Sequence, residues 1–357
     1  MSSAVSRTRG STTRSAPGRS APRGTKPARR RASGDTLGPR SRESESLDFA
    51  ILREFFAEDS TRTGLDPRKS PEKVAKALGV SPATVRRRLT AWRARGFLLG
   101  FDAIPHPGLL GGRFAARVIG FQDPLAQERA IESLRLIDGM IQIEPGRAAL
   151  LVVYFVDSVS QSERRLKQFR SLEGVGEIGA EMWLPFPPCT RRMSRSDWRL
   201  VLALRRNPEA SVGELAKEVR QSPRTTSRRY DSLLDESALM FDPIIEFSRF
   251  HQTLAVLTAS VDRSRAAEDV EREIRSIHPQ SIHAAGATIP DPKGESTTVA
   301  LWVSAPTSAE LDELIGRVAH IRGVTGVQLW YGHSTLPIRP WLDERIEATL
   351  RAEMAAQ

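Results

Sequence analysis

The chain has 357 residues, 39% of them apolar and 27% charged, which suits an ordinary soluble protein with room for two to four small domains. Its longest apolar run, Ala148–Val156, is far too short to cross a bilayer, and no hydrophobic segment follows the N-terminal arginines, so neither a membrane span nor a secretory signal is expected. A single cysteine, Cys189, excludes an intrachain disulfide and a cysteine-based metal cage, and points to a cytosolic protein.

Residues 1–46 hold eleven Lys and Arg against three acidic residues, and so carry eight of the ten net positive charges of the chain. This tail is rich in Ser, Arg, Gly, Pro and Ala, and is expected to be disordered because it has too little apolar surface to offset its conformational entropy. Two roles fit it: a basic arm that releases counterions from a phosphate backbone, or a solvated leader. Pro17, Gly18, Pro22, Gly24 and Pro27 argue against the amphipathic helix of a transit peptide. The remaining residues are nearly neutral, so affinity for a polyanion must come from local basic patches.

The first folded unit is expected at 47–105. Phe49, Ile51, Leu52, Phe55 and Phe56 recur at helical spacing. Residues 57–70 read as a polar connection. Ser70-Pro71 opens a second helix, with Val74, Ala75 and Leu78 inward and Gly79 at its end. Ser81-Pro82 opens a third, with Val85, Leu89 and Trp92 facing the core, and Phe97–Phe101 reads as a short wing strand.

A second unit is expected at 110–186. Strands near 113–121, 139–144, 148–156 and 175–184 alternate with helices at 124–137 and 159–172, giving the β-α-β-β-α-β order of a ferredoxin-like domain. Its sheet leaves one face bare of helices, and such a face is usually covered by another sheet.

The Pro185–Thr190 linker precedes a second round. A diverged copy of the three-helix unit is expected at 194–246, and a second ferredoxin-like unit at 250–335, with strands near 252–262, 281–288, 296–304 and 324–331 and helices near 265–277 and 307–321. A last helix, in 340–357, has no counterpart in the first half. The fold class is therefore α+β: a tandem repeat of winged helix-turn-helix followed by a ferredoxin-like βαββαβ domain.

The repeat is most visible where Leu78–Arg88 returns as Val219–Arg229, 141 residues later. Removing the core positions of the third helix leaves Pro82, Ala83, Thr84, Arg86 and Arg87 toward solvent, while Ser81 suits a helix cap, a phosphate contact or both. N-terminal residues of such a helix are the ones placed against base edges in the major groove. Arg86 or Arg87 can pair with guanine O6 and N7, and Thr84 or Ala83 can touch a thymine methyl. Arg88 lies close to the core stripe and suits a phosphate or an internal carboxylate. In the second copy Gly79, Val80, Val85 and Gly96 become Arg220, Gln221, Thr226 and Ser237. Ser222, Arg224, Arg228 and Arg229 suit phosphates, and Thr225 and Ser227 weak base contacts, so this half is expected to position more than it reads.

The strings Val74–Leu89 and Arg95–Phe101 together resemble the Lrp/AsnC (leucine-responsive) family of transcription regulators, and the β-α-β-β-α-β unit after them resembles that family's effector-binding and dimerisation domain. The resemblance covers roughly 47–335 in two copies. It implies double-stranded DNA as partner, self-association through the ferredoxin-like sheets within or between chains, and an amino acid or similar small molecule as effector. The family's acidic turn between the second and third strands is missing, however: Glu144–Ala148 stands there in one half, and Ala285–Ala287 with an inserted Asp291–Glu295 in the other.

Two alternatives accompany the expectation of a DNA-binding transcription regulator. One is a nucleoid-associated structural DNA binder. The other is a tetrapyrrole-modifying enzyme of the sirohaem decarboxylase type, since that architecture also occurs there. His106, His251, His278, His283, His320 and His333 are scattered, and no nucleophile-base pair, phosphate-binding glycine loop or metal-ligand spacing is present. The expectation is of a chain that is not an enzyme and takes no cofactor or metal.

Overall fold

Each half of the chain carries a set of three helices, and serines cap the starts of five of the six. The first half has α1 (Leu47–Phe56), α2 (Pro71–Leu78) and α3 (Pro82–Ala94); the second has α6 (Arg195–Arg206), α7 (Val212–Val219) and α8 (Pro223–Asp235). The computed structural model describes residues 47–56, 70–184, 186–250, 253–277, 287–290, 296–305 and 307–355, all within a unit running from Glu43 to Gln357. The basic tail, the connection at 57–69, His251, His278, His283, Ala285-Gly286 and the insertion at 291–295 lie outside these residues.

Side chains of Ser70, Ser81, Ser194, Ser211 and Ser222 accept backbone N–H bonds at the first turns of α2, α3, α6, α7 and α8. Each satisfies a donor that the helix start would otherwise leave unpaired. In α6 and α7 a carboxylate, Asp197 or Glu214, reaches back to complete a capping box. The helix ends match just as closely. Gly79 and Gly96 have φ of +67° and +71°, and the residues replacing them, Arg220 and Ser237, hold φ of +56° and +54°. These two are the only non-glycine residues with positive φ among those described. The backbone course is thus alike in the two halves, although only the first has glycine at these positions.

After α3 and α8 come β1 (Leu98–Pro105) and β7 (Leu239–Ile245). These form a two-stranded antiparallel ribbon with each other, from Leu98 opposite Ile245 to Pro105 opposite Leu239. The short wing strand expected at 97–101 is therefore longer and is paired across the halves. Apolar residues on the ribbon, including Phe101, Ala103, Ile104, Phe241 and Ile245, are buried in one continuous core with Ile51, Val74, Val85 and Trp92 of the first three-helix unit and Trp198, Leu204, Leu215 and Leu233 of the second. Fully burying side chains of this size stabilises by roughly 1.5–3 kcal/mol each.

The remainder of the first half is β2 (Arg113–Phe121), α4 (Pro124–Arg135), β3 (Met140–Pro145), β4 (Ala149–Val156), α5 (Val159–Arg170), β5 (Val175–Ile178) and β6 (Met182–Trp183). The second half follows with β8 (Thr253–Asp262), α9 (Ala267–Ile277), β9 (Ala287–Pro290), β10 (Ser296–Ala305), α10 (Ser308–Ala319) and β11 (Val324–Trp330), then β12 (Leu336–Pro337) and α11 (Pro340–Ala355). Strand order β11-β8-β10-β9 in one sheet and β5-β2-β4-β3 within the other is the ferredoxin-like arrangement twice. The fold is thus mixed helix and sheet, with winged helix-turn-helix and ferredoxin-like units in the expected order.

Two details differ from the sequence reading. The strand expected at 175–184 is broken into β5 and β6, because Glu181 turns inward and accepts from Tyr154 at 2.7 Å, Ser162 at 2.5 Å and Trp183 at 3.1 Å, while Arg117 binds Gly179 O at 2.8 Å. β12 of the second half extends the first sheet beside β3. On the face of that sheet away from α4 and α5, Phe155 and Phe114 meet Trp341 of α11 and Phe186 of the linker, with ring centroids 5.0 and 5.5 Å apart. No helix among the described residues is long and apolar enough to cross a membrane.

Candidate nucleic-acid interface

α3 and α8 are the two helices whose sequence pattern recurs, and their first turns are nearly superimposable in chemistry. The Thr84 N–H donates to Ser81 Oγ at 3.0 Å and that of Thr225 to Ser222 Oγ at 3.2 Å. The hydroxyl pairs Ser81–Thr84 and Ser222–Thr225 lie 2.8 and 2.9 Å apart. Both serines are therefore committed to capping. On α3, Ser81, Ala83, Arg86 and Arg87 are exposed, while Pro82, Thr84 and Arg88 are half-buried. On α8, Ser222, Arg224 and Arg228 are exposed, and Thr225, Ser227 and Arg229 are half-buried.

The arginines divide into two groups. Arg88 faces Asp48 of α1 at 3.3 Å, and its counterpart Arg229 meets Asp197 of α6 at 3.0 Å. Burial alone would raise the Asp197 carboxyl; hydrogen bonds from the Ser194 backbone and hydroxyl, with the charge of Arg191, hold it below the usual carboxylate range. Arg229, read from sequence as a phosphate contact, is thus placed in a partly buried ion pair that ties the recognition helix to α6. Arg86 is paired with Glu72 of α2 at the surface. Arg87, Arg224 and Arg228 are exposed and in no ion pair among the described residues. They are the side chains positioned to meet an anion without first breaking an internal contact.

The two helices differ in how far along their length they stay basic. α3 contains no acidic residue. α8 carries Asp231 and Asp235 beyond its arginines, and these line a shallow depression with Arg224, Arg228 and Glu236. A duplex could follow α3 throughout but would meet repulsion at the C-terminal half of α8.

The second unit also has a flaw in its core. Thr226 stands where the first has Val85; both are fully buried, and the Thr226 hydroxyl has no hydrogen-bond partner among the described residues. The two units touch at their rims, where Arg93 of α3 pairs with Glu209.

Sequence reasoning missed what fixes the two units beside each other. Arg205, directly after the apolar run Leu200–Leu204 near the end of α6, is almost fully buried; it donates to Ala103 O of β1 at 2.7 Å, pairs with Asp343 of α11, and lies 3.6 Å from Asp102. Arg339 meets the same Asp102 at 3.3 Å. A charge inside an otherwise apolar helical stripe was the available signal.

One comparison with known proteins, to a family model, agrees with this geometry. A family model described as winged helix-turn-helix DNA-binding matches residues 193–237, which span α6, α7 and α8. No curated protein matches the chain. Among solved structures, the siroheme decarboxylase NirDL matches over 87% of this chain and 99% of its own, at 14% identity and a TM-score of 0.46. Escherichia coli AsnC matches over 41% of this chain and 95% of its own, at 17% identity and a TM-score of 0.27. An AsnC family transcriptional regulator from Agrobacterium tumefaciens matches over 42% and 96%, at 17% identity and a TM-score of 0.28. The expectation that the chain is not an enzyme is corrected by the first of these matches, which is to an enzyme along nearly its whole length.

Proposed function

We propose that this chain is a sequence-specific transcription regulator acting on double-stranded DNA in the cytosol, built by tandem duplication of one regulator unit. The corresponding domains are 47–105, 110–186, 194–246 and 250–335. The observation that carries this reading is the recurrence of one capped, arginine-bearing recognition helix in two units held side by side by the β1–β7 ribbon. The match of 193–237 to a DNA-binding family supports it.

Arg86, Arg87 and Thr84 on α3 read bases, and α8 adds phosphate contacts through Arg224 and Arg228. Unequal heads suit an asymmetric or imperfectly palindromic site. Selection of bound duplexes from a random pool by the full chain, with retention measured against salt, tests this. The expected result is enrichment of one site with unequal halves and affinity that falls steeply with salt. Retention without enrichment, or no retention at low salt, overturns it.

A further inference from the structure

α6, α7 and α11 enclose a groove of about 440 Å³ on the second helix-turn-helix unit. Arg199 and Arg206 of α6, Arg220 at the end of α7 and Arg351 of α11 line it, with Glu218 and Glu347 as its acids. Four guanidinium groups against two carboxylates leave a surplus of two positive charges. Arg206 is satisfied by Glu218 at 3.0 Å, whereas Arg199, Arg220 and Arg351 are exposed and in no ion pair among the described residues.

Arg220 supplies an independent observation. Its backbone is left-handed, with φ +56° and ψ +50°, where the first unit has Gly79 at φ +67°. The turn itself uses only backbone groups: the N–H of Gln221 donates to Ala216 O at 2.9 Å and that of Arg220 to Lys217 O at 3.3 Å. Glycine would make the same bonds without the steric cost that a Cβ adds in this region. The side chain of Arg220 lines the groove. Residues held in this backbone region cluster at functional sites.

We propose that this groove binds a phosphate-bearing anion, with Arg199, Arg220 and Arg351 as its donors. A guanidinium presents a planar fork of N–H donors matched to phosphate oxygens, and three of them around one opening suit a dianion. The volume falls in the range of small-ligand sites. The phosphate can belong to a phosphorylated small molecule or to a DNA backbone, and α11, which has no counterpart in the first half, confines the site to the second unit.

The test uses the full chain and two variants, Arg220→Gly and the double variant Arg199→Gln/Arg351→Gln. One arm titrates pyrophosphate by calorimetry at ionic strength held constant with chloride; the other measures retention of a duplex. The expected result is saturable one-to-one pyrophosphate binding that weakens at least tenfold in both variants, while Arg220→Gly melts at a higher temperature than the parent. Loss of duplex retention in both variants without pyrophosphate binding assigns the phosphate to DNA. Variants that match the parent in both arms overturn the proposal. The pyrophosphate arm holds or fails whether or not α3 and α8 read bases.

Discussion

Asp102 stands directly opposite Asp242 across the β1–β7 ladder, one carboxyl from each half of the chain. Directly opposed residues of an antiparallel pair share a face, so like charges there repel. Asp102 is compensated by Arg339 and Arg205, although burial still leaves its carboxyl above the usual range. Asp242 has no such cation. Burial first, then Glu144 and Asp102, push its carboxyl up to about 8, and burial pushes that of Glu144 up to about 7 against a hydrogen bond from Gln142.

Stability is therefore expected to fall as pH rises. In the unfolded chain both carboxyls ionise near pH ~4. From there to about 7 for Glu144 and about 8 for Asp242 the native protein keeps protons that the unfolded chain has released. Each retained proton tilts stability downward by at most about 1.4 kcal/mol per pH unit. Denaturant melts at about pH 5 and about pH 8 measure the slope. Asp242→Asn combined with Glu144→Gln flattens it. A parent protein equally stable across that window would show that these carboxyls are ionised in the fold.

Arg205→Ala removes the cation that joins α6, β1 and α11. It leaves Asp102 buried with only Arg339, and Ala103 O without its donor. Breaking a buried pair in this way costs about 3–5 kcal/mol, read as a lowered denaturant midpoint. A loss below about 1 kcal/mol would mean that the network is solvated.

Thr226→Val replaces an unpartnered buried hydroxyl by the methyl group that Val85 places in the first unit. A gain of about 1 kcal/mol is expected, visible as a higher Tm with duplex affinity unchanged. Destabilisation would show that the hydroxyl is hydrogen-bonded in solution.

Arg87→Ala and Arg228→Ala separate reading from positioning. The first is expected to cost about 1–3 kcal/mol of affinity for the selected site and to relax base preference at one position. The second is expected to weaken binding on all sequences alike and to reduce the salt slope by about one. Competition with mutated sites, measured at two salt concentrations, distinguishes the two patterns.

Local signals made most of the fold legible. Serine-proline caps, apolar spacing and glycine stops marked the helices, and the β-α-β-β-α-β order marked the ferredoxin-like units. The β1–β7 ribbon escaped because its two strands lie far apart in sequence, and no local pattern names the partner of either. The partner of α11 was equally hidden, since Leu342 and Ile346 find their place only against residues far upstream. At the candidate interface the caps were plain, but the ties on the arginines were not. Nothing near Arg229 in sequence names Asp197, 32 residues earlier, and only the packing of α8 on α6 brings them together.

The ribbon has one further consequence. Its two strands belong to a single polypeptide, so pairing of the halves is a unimolecular event whose extent does not depend on protein concentration. Dilution cannot part the two heads, and a related chain cannot exchange into the pair. Each head is also encoded separately, so a lesion in one leaves its neighbour intact, and the two already differ where Arg220, Thr226 and Ser237 stand opposite Gly79, Val85 and Gly96.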